Sequence, residues 1–299
     1  MSVLVVGGTG NVGSATTLAL AKQGNNVTAM LRGGRNHPKS AQLVDAGVRV
    51  IEGDLWNHDK LGSVVRGAET VVSTATAMPV AANDGIRKTD HEGTLALINA
   101  AETEGVKRFV YVSYSGNIRD ESPLQSAKRD CEQRLGASRM DTVILRPSYF
   151  MEVWLSPILG FDPANGSVRI YGSGEAPVSY ISNSNVAEFA VVAVTTELDE
   201  KHTILEMGGS EALSQLDVVR LFEQKLGRPL KLDRVPIEAL QTQHQSAMDP
   251  LQKTFGALML AYAKGDAVKD AAQNAQRFQI KLRPVAEYVL QFNMPVAVS

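Results

Sequence analysis

Thiol chemistry is almost absent from this chain: Cys131 is the only cysteine in 299 residues. One cysteine excludes an intrachain disulfide and a multi-cysteine zinc site. Long apolar runs are missing too, since none approaches the ~18 residues of a membrane span. The start of the chain has no basic segment and no small-residue cleavage site, and it enters an apolar run at once, so it does not read as a signal peptide. A strong charge of either sign is also lacking. Thirty Lys and Arg stand against 32 Asp and Glu, for a net charge of −2, which argues against a general nucleic-acid binder. The five histidines, His37, His58, His91, His202 and His244, form no HExxH or other tight metal spacing. These absences lead us to expect a cytoplasmic protein with no metal, no nucleic-acid partner and no membrane partner.

What is present is ordinary for a folded chain. Hydrophobic residues make up 44% and charged residues 21%, which excludes wholesale disorder. At about 150 residues per domain, the length suits one large domain or two modest ones. The first half alternates short β-branched runs with helical patterns. Residues 3–6, 27–31, 48–52, 70–74, 108–112 and 142–145 read as buried parallel strands, being short, rich in Val and Ile and not strictly alternating. Residues 11–23, 84–104 and 126–135 fit helices, and Gly105 is placed as a C-cap. This order predicts an α/β fold with a doubly wound parallel sheet and right-handed crossovers. After Pro147 the rhythm changes. Prolines and glycines cluster between residues 156 and 177, and helical patterns at 183–195, 213–226 and 249–263 accompany a strand-like 203–207. We therefore expect a first domain over residues 1–150 and a smaller α/β lobe over 151–299 that is intertwined with the sheet.

The most informative segment is VLVVGGTGNVG at residues 3–13. It satisfies Gly8-x-Gly10-x-x-Gly13 and also Gly7-x-x-Gly10-x-x-Gly13. A strand runs into the glycines and a helix runs out. That context suits a tight turn, a close backbone approach to a pyrophosphate and close helix–sheet packing. The helix start offers free N–H groups and a positive dipole end to an anion, with Thr9, Asn11 and Val12 as donors. The alternative is a glycine-rich turn without a ligand.

A site for NAD expects an acidic residue about 20 positions further on. Here the second strand ends Met30-Leu31-Arg32-Gly33-Gly34-Arg35, with no acid. A guanidinium in that place fits a 2′-phosphate and gains nothing comparable from a hydroxyl, so Arg32, with Arg35 and Lys39 nearby, points to NADP(H). The alternative for Arg32 is a solvated strand-end residue beside a basic loop. Gly53-Asp54-Leu55 follows the third strand, where Asp54 either accepts from an adenine amino group or caps a helix. Thr74-Ala75-Thr76 ends the fourth strand with small residues that leave room for ribose and nicotinamide.

These motifs, together with HEGTLALINAAETEGVKRFVYVS at 91–113, RPSYFME at 146–152, SYISNSNVA at 179–187 and LSQLDVVRLFEQKLGRP at 213–229, resemble the NmrA-like group of atypical short-chain dehydrogenases. The resemblance covers residues 2–241. It implies a Rossmann sheet, NADP(H) as cofactor with Pro147, Ser148 and Lys128 added to its contacts, and one of three activities. Members include NADPH-dependent quinone reductases, plant isoflavone- and phenylcoumaran-type reductases, and regulators that bind NADP(H) without turnover.

Most short-chain dehydrogenases use Tyr-x-x-x-Lys on the fifth helix. The tyrosine moves the proton of the carbonyl oxygen, and the lysine binds ribose and lowers the tyrosine pKa. Here the segment reads Leu124-Gln-Ser-Ala-Lys128, and leucine has no proton to transfer. Ordinary alcohol–ketone chemistry and sugar-nucleotide epimerisation lose their acid. Hydride transfer to an electrophilic quinone does not need it. Lys128, Ser115 and Tyr149 are the candidate catalytic residues. Their bland counterparts are a solvated helix lysine, a turn cap and a pocket wall. Phe150, Met151, Trp154 and Phe161 suggest an apolar, aromatic acceptor held in a cleft between the lobes. Lys128 and Arg129 beside Cys131 suggest a lowered thiol pKa, although without a resolving partner we read Cys131 as an ordinary helix residue. The expected function is an NADPH-dependent reductase of a quinone-type or apolar aromatic acceptor. Its rivals are an NADP(H)-sensing regulator and a reductase of an activated C=C, C–O or carbonyl bond in a natural aromatic compound. A homodimer is the expected assembly.

Overall fold

A computed structural model of the chain describes residues 1–78 and 84–292. In chain order its strands and helices are β1 (Ser2–Val6), α1 (Asn11–Lys22), β2 (Asn26–Leu31), α2 (Ser40–Asp45), β3 (Arg49–Glu52), α3 (Leu61–Val65), β4 (Thr70–Ser73), α4 (Thr94–Thr103), β5 (Arg108–Val112), α5 (Pro123–Gly136), β6 (Asp141–Pro147), α6 (Met151–Trp154), β7 (Phe161–Asp162), β8 (Ser167–Tyr171), β9 (Pro177–Val178), α7 (Asn183–Thr195), β10 (His202–Met207), β11 (Leu213–Ser214), α8 (Gln215–Leu226), β12 (Lys231–Val235), α9 (Ile237–Ser246), α10 (Pro250–Lys264), α11 (Ala271–Arg277) and α12 (Val285–Leu290). None of the described helices is long and apolar enough to cross a membrane.

The main sheet has seven strands in the order β10-β6-β5-β4-β1-β2-β3. Every pair from β6 to β3 is parallel. At the β6–β10 edge, Thr142 N–H donates to Lys201 O and Ser148 N–H to Met207 O, so both strands advance together. Buried parallel strands need no polar alternation, and the β1 side chains Val3–Val6 are all buried. Beneath the sheet, Leu4, Val6, Val71, Phe109 and Tyr111 pack with Leu97, Ile98, Leu135 and Ile144. The strand order reverses between β1 and β4, the kind of switch point at which doubly wound sheets hold ligands.

By its internal contacts the chain forms two compact units. Among the described residues, the first comprises those of Met1–Tyr114, Glu121–Arg146 and Val186–Leu205; the second comprises Ser115–Asp120, Pro147–Asn185 and those from Glu206 to Phe292. The second unit holds a three-stranded sheet in the order β12-β8-β7 and a two-stranded pair, β11 with β9. Its interior is aromatic. Tyr149 meets Trp154 edge-on with ring centroids 4.6 Å apart, and Trp154 lies 4.4 Å from Tyr262. Tyr180 and Tyr262 share a hydrogen bond between their hydroxyls. Phe161 packs 5.1 Å from Phe222.

Three elements differ from the sequence reading. The expected helix over 84–104 is a π-helical turn, Ile86–Gly93, that passes into α4. Gly93 there lies so close to β3's outgoing loop that an added Cβ would stand 2.8 Å from Leu55 O. Helix α5 starts at Pro123 rather than at Ser126, because proline fits the first helical position and Ser122 caps the turn by accepting from Gln125 N–H at 3.1 Å. The helical pattern at 213–226 begins with β11 and becomes helical only at Gln215, where Ser214 serves as N-cap.

Candidate functional site

The turn between β1 and α1 is built from backbone. Gly7 has φ +89°, and a Cβ there would meet Thr74 Oγ1 at 2.6 Å and Ala75 N at 2.7 Å. At Gly13 a Cβ would lie 2.2 Å from Gly7 O. Both positions therefore require glycine. Gly8 is less restrictive, its nearest neighbour being Ala29 Cβ at 3.3 Å. The geometry thus follows the Gly7-Gly10-Gly13 spacing of the two that the sequence allows. Gly10 is exposed and is the N-cap of α1, with no side chain to offer. The first backbone bond into the helix runs from Ser14 N–H to Gly10 O at 2.8 Å. The amides of Asn11, Val12 and Gly13 precede it, the open helix start that an anion fits. Open space beside Gly10 and these unclaimed amides fit the pyrophosphate of a dinucleotide.

Most of the other predicted cofactor residues, Pro147 and Ser148 excepted, lie in the first unit. Arg32 and Arg35 are exposed just beyond β2, and neither side chain is bonded to another described residue. Lys39 Nζ donates to Thr9 O at 2.6 Å, which ties the basic loop to the glycine turn. Asp54 Oδ1 accepts from Trp56 N–H at 3.0 Å, so this carboxylate already caps its own turn. Leu55 is buried. Thr74 Oγ1 donates toward Val6 O and Gly7 O at 3.2 and 3.3 Å. Ala75 is half-buried and Thr76 exposed.

Lys128 is no solvated helix lysine: it is 4% exposed. Its ammonium donates to Val112 O at 3.2 Å, lies 3.5 Å from Asp90 Oδ1 and sits 5.0 Å above the Tyr111 ring. Leu124, in the tyrosine's place one turn earlier, is buried. Cys131 overturns the expected effect of its basic neighbours. Burial pushes its thiol up to about 11, outweighing the lowering by Lys128. Beside it, Glu132 accepts from Ser113 Oγ at 2.5 Å and pairs with Arg146 and Arg129. Burial raises its pKa, but the Arg146 and Ser113 hydrogen bonds overcome that and hold the carboxyl below its ordinary value.

Ser115, Tyr149, Pro147 and Ser148 fall in the second unit. Ser115 Oγ donates to Asp266 Oδ1 at 2.8 Å and accepts from Asn117 N–H at 3.2 Å, so it does cap a turn. Ser115 N–H donates to Pro147 O, and Ser148 Oγ donates to Asp266 O at 3.5 Å. The phenol of Tyr149 donates to Leu258 O at 3.1 Å, and the ring is buried. Met151, Trp154 and Phe161 are buried within this unit, while Phe150 is only half-buried.

Sequence reasoning missed two acids, Asp90 and Asp266, which are 0% and 2% exposed. Asp90 carried a signal. It stands in the apolar stripe Ile86, Asp90, Gly93 and Leu97, where a charge demands a partner. Asp266 carried none, because its partner Ser115 lies 151 positions away. Of the histidines, His91 Nε2 lies 2.9 Å from Asp130 Oδ2, His202 Nδ1 2.8 Å from Thr142 Oγ1 and His244 Nδ1 3.2 Å from Lys253 O.

The profile of the family described as NmrA-like matches residues 1–289. Photosystem II assembly factor Ycf39 of Synechocystis sp. is 29% identical over 245 residues, 81% of this chain and 72% of that protein. An isoflavone reductase homolog from Zea mays is 25% identical over 312 residues, 97% of each chain. The crystal structure of an NADPH-dependent quinone oxidoreductase from Escherichia coli complexed with NADPH superposes with a TM-score of 0.76. It is 19% identical and the match covers 96% of this chain and 98% of that one.

Proposed function

This chain belongs to the NmrA-like family, and from that footing we propose that it binds NADP(H) through the glycine turn and Arg32 and reduces an apolar aromatic or quinone-type acceptor. The carrying observation is the open start of α1 beside an uncommitted Arg32 guanidinium. The amides of Asn11, Val12 and Gly13 suit the pyrophosphate, and Arg32 with Arg35 suits a 2′-phosphate. Asp54 keeps its second carboxylate oxygen for an adenine amino group. Thr74, Ala75 and Thr76 provide a small-residue wall for ribose and nicotinamide. Bound NADPH supplies a hydride. The acceptor class rests on the family resemblance and on relatives named as an isoflavone reductase homolog and a phenylcoumaran benzylic ether reductase.

The protein's own acid–base groups are unequal in this role. The single protons of Ser115 and Tyr149 are already donated to Asp266 and Leu258. Lys128 gives one of its three N–H groups to Val112 O. It can stabilise charge on an acceptor oxygen without first breaking a bond, and solvent completes protonation of a hydroquinone. Two titrations and one screen test the reading. Calorimetry should show NADP(H) bound at least tenfold more tightly than NAD(H), and equal affinities overturn the assignment of Arg32. NADPH oxidation should proceed with quinones, enones or aromatic aldehydes; activity with polar sugars alone rejects the acceptor class.

A second reading has its own support. Leu124 removes the usual proton donor, and Ycf39 is named as an assembly factor rather than a reductase. An NADP(H)-responsive regulator would bind the cofactor in the same way, show negligible turnover with every acceptor, and change its affinity for a protein partner when NADP(H) is added.

A further inference from the structure

The π-helical turn Ile86–Gly93 touches more of the proposed cofactor edge than any motif predicts. Thr89 Oγ1 accepts from Trp56 Nε1 at 2.9 Å, and Lys88 Nζ lies 4.7 Å over the Trp56 ring. Gly93 abuts Leu55. His91 meets Asp130 on α5. Asp90 faces inward between them and is fully buried. Its Oδ2 accepts from Ala77 N–H at 2.9 Å, directly after Thr74–Thr76, and its Oδ1 makes no hydrogen bond but stands 3.5 Å from Lys128 Nζ. Its backbone carbonyl accepts from the Cys131 thiol at 3.4 Å. π-Helical turns are uncommon and gather at functional positions. Here the widened turn puts one carboxylate within reach of two elements.

We propose that Asp90 is the positioning residue for Lys128, holding the ammonium in register with Ala77 so that its free N–H groups meet the nicotinamide half of the cofactor. This rests on the NADP(H) reading above. The argument is electrostatic. An ammonium buried this deeply, with one hydrogen bond and an aromatic face, loses its hydration and is held in place only where a carboxylate faces it. Asp90 is that carboxylate, and among the described residues the other groups on the ammonium are Val112 O and the Tyr111 ring, both from β5. Because Oδ1 opposes the ammonium without a short hydrogen bond, two N–H groups stay uncommitted among the described residues. The same carboxylate fixes Ala77, so the lysine and the small-residue wall share one anchor.

The test compares two probes on the full chain by fluorescence and calorimetric titration: NADPH, which spans both halves of the site, and 2′,5′-ADP, which lacks the nicotinamide half. Asp90→Asn keeps an acceptor for Ala77 and removes the charge. We expect it to weaken NADPH about tenfold while leaving 2′,5′-ADP within twofold. Lys128→Met should show the same selective loss, and the double variant should add nothing to it. Equal weakening of both probes assigns Asp90 a merely structural role and overturns the inference, as does unchanged NADPH affinity in Asp90→Asn. Should that variant fail to fold, Lys128→Met still decides: unchanged NADPH affinity removes the cofactor role of the lysine and the inference with it. A wild-type chain that binds neither probe overturns the NADP(H) reading itself, a result distinct from binding that ignores Asp90.

Discussion

Helix α1 in the first unit and helix α8 in the second each begin with amides that have no partner inside the helix. At α8 the chain supplies the partners. Ser214 Oγ accepts from Asp217 N–H at 3.1 Å, and the Asp217 carboxylate accepts from Ser214 N–H at 2.9 Å, a closed capping box. At α1 the cap is Gly10, with no side chain, and the preceding turn is shaped by two further glycines that no other residue can replace. One helix start is finished by its own sequence. The other is left open at the switch point of a parallel sheet. On the proposed function, the difference marks α1 as the helix start left for an anion, since both ends carry the same positive dipole.

The largest expected effect breaks the open turn outright. In Gly13→Ala the new Cβ would lie 2.2 Å from Gly7 O and 2.5 Å from Thr74 Oγ1. Neither the strand-end carbonyl nor the threonine, which is tied to β1, can retreat far. We expect a loss of about 3 kcal/mol in urea unfolding, at the upper end for overpacking, together with loss of NADPH binding. A variant with wild-type stability would show that the turn is looser than its contacts indicate.

Closing the open start should separate binding from folding. At Gly10 an added Cβ meets only Gly7 O, at 3.4 Å, and φ −71° with ψ 166° suits an ordinary N-cap residue. Gly10→Asp gives α1 the kind of acceptor that α8 already has. We expect the midpoint of unfolding to stay the same or rise by a few tenths of a kcal/mol, while NADPH affinity falls more than tenfold because a carboxylate now occupies the place of the anion. Fluorescence titration reads the second effect, and unimpaired binding would mean that the phosphates lie elsewhere.

The contrast between the helix starts also explains what was legible beforehand. The β1–α1 turn is a local device, so its glycines, the strand and the helix announce it together, and the six strands of the first half were readable from short Val- and Ile-rich runs. Arg32 was visible because an acid was missing from a fixed distance. The second unit is held by contacts that skip most of the chain. Tyr149 bonds to Leu258, 109 positions on, and Tyr180 to Tyr262, 82 positions on. No spacing rule reports such pairs, and β7, β9 and β11, two residues each, are too short to leave a periodic pattern. Tyr149 and Ser115 were named from the family's motifs, yet their hydroxyls are committed inside the second unit. Lys128 was named from its match to the lysine of the short-chain dehydrogenase Tyr-x-x-x-Lys motif, and the carboxylate beside it lay unnoticed in an apolar stripe.

The smallest effect belongs to the finished helix start and has a definite sign with pH. Hydrogen bonds from the Ser214 hydroxyl and then its backbone N–H hold the Asp217 carboxyl below its ordinary value, with Arg220 adding to the pull. A depressed carboxyl stabilises the fold above its unfolded pKa and loses that contribution as pH falls through the folded value. Asp217→Asn keeps a carbonyl for Ser214 N–H but removes the charge from the helix start. Because the side chain is partly exposed, solvent screens the charge, and we expect a loss of only about 0.5 kcal/mol at pH 7. The gap between variant and wild type should shrink as pH drops below about 4, where the wild-type carboxyl also becomes neutral. NADPH affinity should not change, because α8 lacks the open amides of α1. A pH series of urea midpoints measures the first claim. A gap that widened in acid would mean that Asp217 is held by groups other than the cap, and that the two helix starts differ for another reason.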